Sequence, residues 1–216
     1  MNYTWIVWMG YSIFLPAGIG LIRLRQIDPV FHPFLLCTWM AALNEVVSVT
    51  LQHHGMHTGI NNNLYVLAEA LLLVAVLQRM GAVMSPLVYR SVQVLIAIAW
   101  SLETVAAGEL HLIHSGFRLF YAALLVILSI HLACRLVLAE KEPLARNAAY
   151  WLVTGFILYF TYKILVEIFW LYGLNASPEF LEKVYLIHAW VNMVCNIIYA
   201  LAILWMPAKR TYSMPY

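Results

Sequence analysis

Charged residues are scarce in this chain of 216 residues, making up only 10% of it and giving a net charge of +2. Soluble domains carry about a quarter of charged residues, so the surface of an ordinary water-soluble domain is excluded. Basic runs are absent, which excludes the electrostatic footprint of a nucleic-acid-binding protein. Low-complexity tracts and long polar connectors are missing as well, so residues 1–216 are expected to form one domain.

Cysteine is also rare, and all three copies (Cys37, Cys134 and Cys195) fall within apolar stretches. A disulfide framework needs paired cysteines in an oxidising aqueous layer, so these three are predicted to be small buried apolar side chains. The N-terminal residues lack the basic region and small-residue cleavage site of a secretory signal. The first apolar stretch is therefore expected to be a retained helix.

Apolar residues are abundant instead: they form 64% of the chain, and the mean hydropathy is +0.82. One soluble core could not bury this much apolar surface, so a lipid bilayer is the expected partner. A bilayer core about 30 Å thick needs about 20 apolar residues in each spanning helix. The sequence predicts an all-α bundle of seven spanning helices, at Tyr3–Leu24, Phe34–Leu51, Asn63–Leu77, Leu87–Ala107, Leu110–Leu138, Ala148–Tyr172 and Val184–Met206.

The distribution of Lys and Arg between alternate connectors predicts how the bundle is oriented. Lys183 alone lies on the side of the N-terminus. The other side holds nine basic residues: Arg23, Arg25, Arg79, Arg90, Arg135, Lys141, Arg146, Lys209 and Arg210. Short cytoplasmic loops are enriched in Lys and Arg, so the N-terminus is expected outside and the C-terminus in the cytoplasm. We expect the membrane to be a bacterial inner (plasma) membrane.

Polar residues within the predicted spans lie mostly in the half nearer the outside. Charged side chains in a bilayer are costly and face the bundle interior or each other. Residues that recur at helical spacing on one face are therefore expected to converge on an outward-facing polar pocket. The predicted ligand-binding residues are Glu45, Glu69, Glu103, His114, Arg118, Lys163, Glu167, His188 and Asn192.

The charges of this predicted pocket do not balance, because four glutamates accompany two permanent cations. Under one interpretation the charges serve only as structural pairs: Lys163 with Glu167, and Arg118 with Glu69 or Glu45. Under the other, two carboxylates are protonated, bind histidine, or receive a cationic ligand. The surplus on one side favours the second interpretation.

Histidines are concentrated on the predicted outer side. The second connector contains His53, His54 and His57, and His188 follows in the outer half of the last helix. Imidazole and carboxylate groups suit zinc, so these four are the predicted metal ligands and zinc is the one cofactor considered. Proton sensing by histidine near neutral pH and a merely hydrated loop are the alternatives.

The pattern is similar in part to that of membrane zinc hydrolases of the ceramidase and progestin-receptor type. That resemblance rests on Glu45, Ser48 and His53 or His54, followed by Glu69 and His188. It implies a zinc-dependent hydrolase. The chain departs from the family pattern because the third helix has no Asp and Asn192 stands where a second histidine would be. A third zinc ligand would have to come from elsewhere.

The segments Asn63–Glu69 and Ile187–Asn192 resemble uncharacterised small bacterial seven-helix membrane proteins, a resemblance that implies no activity. Rhodopsins share the topology, but the last helix, Val184–Met206, lacks the lysine that retinal requires. The sequence therefore predicts a binding or sensing protein for a small polar or cationic ligand, with a separate cytoplasmic signalling partner. A metal-dependent membrane hydrolase and a small-solute transporter are the alternatives, and whether the protein is an enzyme stays open.

Overall fold

A computed structural model describes residues 3–82, 84–108, 112, 114–139, 144–172 and 177–207. Within these ranges the chain forms helices joined by turns, without a strand. The α-helices are α1 Tyr3–Gly10, α2 Phe14–Arg23, α3 His32–His53, α4 Gly59–Leu77, α5 Pro86–Ala107, α6 Ser115–Ala139, α7 Ala148–Tyr172 and α8 Pro178–Trp205. The all-α prediction is thus confirmed for the described part of the chain.

Six of the predicted spans are confirmed as helical stretches long and apolar enough to cross a membrane, as an integral membrane protein requires. Each of these stretches has between 21 and 25 residues. The remaining apolar stretch, Val7–Arg23, is shorter than the others. It belongs to α1 and α2, which are joined by a 3-10 turn at Tyr11–Ile13. Where the sequence predicts seven spans, the described residues thus form six long apolar helices and one shorter apolar helix.

Several helices begin or end at residues that pair the free backbone hydrogen-bonding groups or that stop the helix. The hydroxyl oxygens of Ser85 and Ser177 accept hydrogen bonds from amides three residues later, and Pro86 and Pro178 follow at the first helical position. Proline suits that position because its missing N–H would be unpaired there anyway. At the other end of α5, Gly108 adopts a left-handed conformation with φ of 69°. These local signals divide the apolar sequence into separate helices.

The helices form a closed ring in the order α2, α3, α4, α6, α7 and α8, and α1 continues α2 along α8. Helix α5 lies outside the ring and packs on α4 and α6. Only 6% of the residues in its most apolar stretch are buried within the protein, compared with 44% in the corresponding stretches of α4 and α7. Lipid is the solvent that can cover so exposed an apolar helix, whereas the ring can enclose polar groups.

Three arginines lie at the end of the bundle where α2 ends, which we call the arginine end. The Arg23 guanidinium donates hydrogen bonds to the carbonyl oxygens of Ile203 (2.5 Å) and Leu204 (2.6 Å) near the end of α8. Arg79 donates to a carbonyl of the α2–α3 connector, and Arg135 to one beyond α4. These contacts join the connectors of one end, but they do not test which end faces the cytoplasm, so that orientation remains a prediction.

We expect Arg23→Ala to destabilise the bundle by about 2 kcal/mol, because charged donors to the last carbonyls of α8 would be lost. The measurement is the melting temperature of the purified protein in one detergent. Arg25→Ala is the matched control, since Arg25 is exposed and makes no hydrogen bond or ion pair within the described residues. Equal melting temperatures for the two variants would contradict a capping role for Arg23.

Candidate functional site

A cavity of about 320 Å³ lies inside the helical ring. Its walls come from the junction of α1 with the 3-10 turn and from α3, α4, α7 and α8. Four of the nine residues predicted to bind ligand line this cavity: Glu45, Glu69, His188 and Asn192. Glu103, His114, Arg118, Lys163 and Glu167 are not part of its lining. The predicted convergence on one pocket therefore holds for only part of the set.

The cavity is polar at one end and apolar at the other. Glu45 and Asn44 are half-buried on α3, and Tyr185 is 39% exposed on α8. Phe34, eleven residues before Glu45 on α3, is 3% exposed, and Phe156 on α7 is 1% exposed. The cavity is thus accessible at its polar end, which we call the Glu45 end, and closed by buried rings toward the arginine end.

Glu69 on α4 accepts hydrogen bonds from three different side chains. The Tyr65 hydroxyl donates to one carboxylate oxygen at 2.8 Å, and the Tyr121 hydroxyl donates to the other at 2.6 Å. The Lys163 ammonium lies 3.3 Å from that second oxygen and also donates to the Tyr121 hydroxyl. All the polar neighbours that a buried carboxylate needs are thus supplied by α4, α6 and α7.

Aromatic rings surround the Lys163 ammonium, which is buried with its residue 7% exposed. Its nitrogen lies 4.9 Å from the ring centre of Tyr121, 5.5 Å from that of Tyr159 and 5.7 Å from that of Phe160. The electron-rich faces of aromatic rings attract cations within about 6 Å. Lys163 is therefore held by one carboxylate and by the rings around it.

The structure changes the charge pairing proposed from the sequence. Arg118 on α6 lies 3.7 Å from Glu167 on α7, and Lys163 pairs with Glu69 on α4. The predicted pairs, Lys163 with Glu167 and Arg118 with Glu69 or Glu45, are wrong. Spacing within one helix brings residues four apart close together, but it cannot reveal a better partner on another helix. The observed pairs join α4 to α7 and α6 to α7.

Glu103 and His114 lie near the start of α6, outside the cavity lining. The Glu103 carboxylate accepts hydrogen bonds from the backbone amides of Gly116 (2.9 Å) and Phe117, two donors exposed at a helix start. His114 is 1% exposed and packs edge-on against Trp100. Burial lowers the pKa of His114, an effect that Glu103 opposes and Arg118 reinforces. His111, which helical spacing predicts to share a face with His114 and Arg118, lies outside the described residues.

Glu45 differs from the other three glutamates, because its carboxylate has neither a hydrogen bond nor an ion pair among the residues that the structure describes. Its carboxylate lies directly against Gly10: a Cβ atom built on Gly10 would stand 2.4 Å from a carboxylate oxygen of Glu45. Glycine thus lets the first helix pass closely beside this side chain. Glu45 is thus the one of these four carboxylates without a partner in the described part of the chain.

Two further polar side chains of the cavity lack partners. The Nδ1 atom of His188 is buried without a hydrogen-bond partner, while its ring packs between Tyr159 (5.9 Å) and Tyr162 (6.0 Å). Asn192, one turn further along α8, makes no hydrogen bond within the described ranges. Buried polar atoms are normally paired, so the His188 nitrogen, together with the half-buried Asn192 amide, leaves hydrogen-bonding capacity open in the cavity.

The residues predicted to bind zinc do not fit a three-ligand site. His53, His54 and His57 are exposed at the end of α3 and in the following turn, whereas His188 lines the cavity. Among the described residues, no three His, Cys, Asp or Glu side chains are grouped closely enough to hold a metal ion. Catalytic zinc needs three protein ligands around one point. The predicted set of His53, His54, His57 and His188 is therefore corrected: its members do not form one group.

Sequence reasoning missed the tyrosines that complete the site. Tyr121 lies three residues after Arg118, and Tyr159 lies four before Lys163, so both share helix faces with predicted residues. Tyr199 and Phe34 form the aromatic floor of the cavity with Phe156. Helical spacing from the charged residues could have identified Tyr121 and Tyr159. No comparable signal identified Gly10.

Comparison with known protein families, curated proteins and solved structures finds no match to this chain. The resemblances to ceramidase-type hydrolases and to small bacterial seven-helix proteins therefore remain predictions.

We expect Lys163→Met to destabilise the protein by about 3–5 kcal/mol, because it leaves the buried Glu69 carboxylate without its cation. Adding Glu69→Gln should restore part of that loss, since the amide carries no charge. Adding Glu167→Gln should instead lower stability further, because Arg118 then loses its own partner. Melting temperatures of the single and double variants in one detergent measure these effects. Rescue by Glu167→Gln rather than Glu69→Gln would contradict the observed pairing.

Proposed function

We propose that this protein is a membrane receptor or sensor that binds a small organic cation in the cavity between its helices, with Glu45 as the counter-ion. The observation that supports this most directly is the position of Glu45, a cavity-lining carboxylate without a hydrogen bond or ion pair in the described part of the chain. A half-buried carboxylate is stabilised by a nearby opposite charge. A bound cation would supply that charge.

The composition of the lining favours a cation over an anion or a zwitterion. Its described residues include two carboxylates, Glu45 and Glu69, but neither lysine nor arginine. Lys163 is the nearest buried ammonium, and it is already engaged by Glu69. An anionic group would therefore meet a carboxylate without a compensating charge. Aromatic rings around the cavity attract cations in addition.

The apolar floor favours a binding site over a transport path. A transporter needs polar groups along the whole route of its solute. Phe34, Leu73 and Phe156 close the cavity toward the arginine end, and all three are buried. A site accessible from one end can still produce a signal, provided that ligand binding favours one arrangement of the surrounding helices.

The proposed function also includes an orientation in the membrane and a way in which ligand binding is signalled. Cytoplasmic connectors are typically rich in Lys and Arg, which supports a cytoplasmic position for the arginine end and an outer position for the Glu45 end. The ligand would then arrive from outside. A shift of the ring helices would be received by a separate cytoplasmic partner, with the bacterial inner membrane as the setting.

Binding of three ring compounds of similar size tests the charge preference: benzylamine, benzyl alcohol and benzoate. We expect benzylamine to bind most tightly, because only it carries a positive charge for Glu45. The Glu45→Gln variant should bind benzylamine at least about tenfold more weakly, since a close charge pair within a binding site is lost. Calorimetry on the protein in lipid nanodiscs provides the affinities.

Glu103→Gln is the matched control for this experiment. It also converts a glutamate to an amide. However, Glu103 lies outside the cavity and accepts hydrogen bonds from backbone amides at the start of α6. We expect it to lower the melting temperature while leaving the benzylamine affinity unchanged. Equal affinity for all three compounds, or unchanged affinity in Glu45→Gln, would sink the proposal.

A second prediction concerns the contact between Gly10 and Glu45. Gly10→Ala places a methyl group where the carboxylate now lies, so the flexible Glu45 side chain must move. We expect a several-fold change in benzylamine affinity with little change in melting temperature. Gly18→Ala is the control, because nothing lies within 4 Å of a Cβ atom at Gly18. Identical affinities for these two variants would show that the position of Glu45 is irrelevant to binding.

A further inference from the structure

The shape of the cavity limits the kind of cation that it can hold. Residue 34 and residue 45 both line it from α3, and eleven residues at 1.5 Å each correspond to about 16 Å along the helix axis. The volume of about 320 Å³ is small for that length. It lies at the lower end of the range of roughly 300–1,000 Å³ that small-molecule pockets occupy. The cavity is thus long and narrow.

Its chemistry changes along this length. At one end Glu45 carries a carboxylate without a partner in the described part of the chain, and His188 and Asn192 on α8 add further polar groups without partners to the same lining. At the other end Phe34, Phe156 and Tyr199 pack together, with ring centres 5.5–6.0 Å apart. A ligand that satisfies both ends needs a polar head and an apolar body.

The state of Glu69 limits the charge of that ligand to one. Glu69 also lines the cavity, but Tyr65, Tyr121 and Lys163 already occupy both of its oxygens. A second ammonium near Glu69 would compete with Lys163 at close range and leave one cation unpaired. Glu45 is consequently the one carboxylate of the described lining that is ready to receive a positive charge.

We propose that the ligand is an amphipathic monoamine whose ammonium pairs with Glu45 and whose single apolar body extends along α3 toward Phe34. This rests on the proposed function, since it assumes that Glu45 receives a cation. It goes further by specifying the number of charges, the presence of an apolar body and the direction in which that body points. Diamines, amino acids and small hydrated cations satisfy only one end of the cavity.

A series of n-alkylamines from butylamine to dodecylamine tests the proposal. Each methylene buried against the apolar walls should tighten binding by about fourfold. This increase should stop once the chain reaches the rings at Phe34. The n-alkanols of equal length should bind far more weakly, because they partition into apolar surroundings but carry no charge. Affinities are measured by calorimetry in nanodiscs of one fixed lipid composition.

A variant that narrows the middle of the cavity makes the test specific to its apolar half. Ala41 lines the cavity four residues before Glu45, about 6 Å along α3. We expect Ala41→Leu to retain butylamine binding and to lose the gain that longer chains provide. Ala97→Leu, which adds the same atoms on the exposed face of α5, should leave the whole series unchanged.

The outcomes separate the two proposals. Benzylamine binding that depends on Glu45, together with equal affinities for short and long alkylamines, would overturn the amphipathic ligand and leave the proposed function standing. Equal dependence on chain length for amines and alkanols would also overturn it, since the bilayer alone would then explain the trend. If the native protein binds no amine at all, both proposals fail. The wild-type series is decisive even if Ala41→Leu does not fold.

Discussion

The ion pair between Glu69 and Lys163 is the interaction on which the arrangement of the bundle depends. Two opposite charges inside an apolar helical ring are tolerable only while they remain in contact and hydrogen-bonded. Here α4 contributes the carboxylate, α7 the ammonium and α6 the hydroxyl of Tyr121 that contacts both. Rotating α4 or α7 would leave a buried charge unpaired, and rotating α6 would remove the hydroxyl that contacts both charges. The pair therefore specifies the register of three helices at once.

That same pair determines the chemistry of the cavity beside it. Because Glu69 is satisfied from within the bundle, its negative charge is already balanced before any ligand arrives. Arg118 and Glu167 balance one another's charge, and the Glu103 carboxylate accepts hydrogen bonds from backbone amides at the start of α6. The charge that remains is that of Glu45, at the accessible end of the cavity. Structural pairing and the proposed ligand binding thus fall to different glutamates, although the sequence presented them as alternatives for one group.

The closed apolar floor gives this site its direction. The rings of Phe34, Phe156 and Tyr199 fill the space between α3, α7 and α8 on the side of the arginine end. A ligand of the proposed kind would enter and leave at the Glu45 end, so its occupancy would report conditions on one side of the membrane. Gly10 adds a mechanical link, because the first helix touches the Glu45 carboxylate through its backbone. Movement of that carboxylate on binding would be felt directly by α1.

The sequence by itself determined that this is a helical membrane protein. Composition and apolar run lengths depend on each residue's own affinity for lipid, and six long apolar helices followed from them. It also indicated four of the residues that line the cavity, because a polar residue within an apolar run must face the bundle interior: Glu45, Glu69, His188 and Asn192. The first helix was less predictable: its apolar run suggested a full span, whereas the structure interrupts it at Tyr11–Ile13 and makes its apolar stretch shorter.

Only the tertiary structure decided which charges pair, which one remains and what surrounds it. Lys163 has Glu167 four residues away on its own helix, yet it pairs with Glu69, which is 94 residues distant in sequence. Local spacing identifies neighbours within one helix, but the rotation and packing of neighbouring helices determine contacts between them. The dispersal of the predicted zinc ligands and the contact between Gly10 and Glu45 have the same cause. Each depends on the distance between helices, a quantity that no single helix encodes.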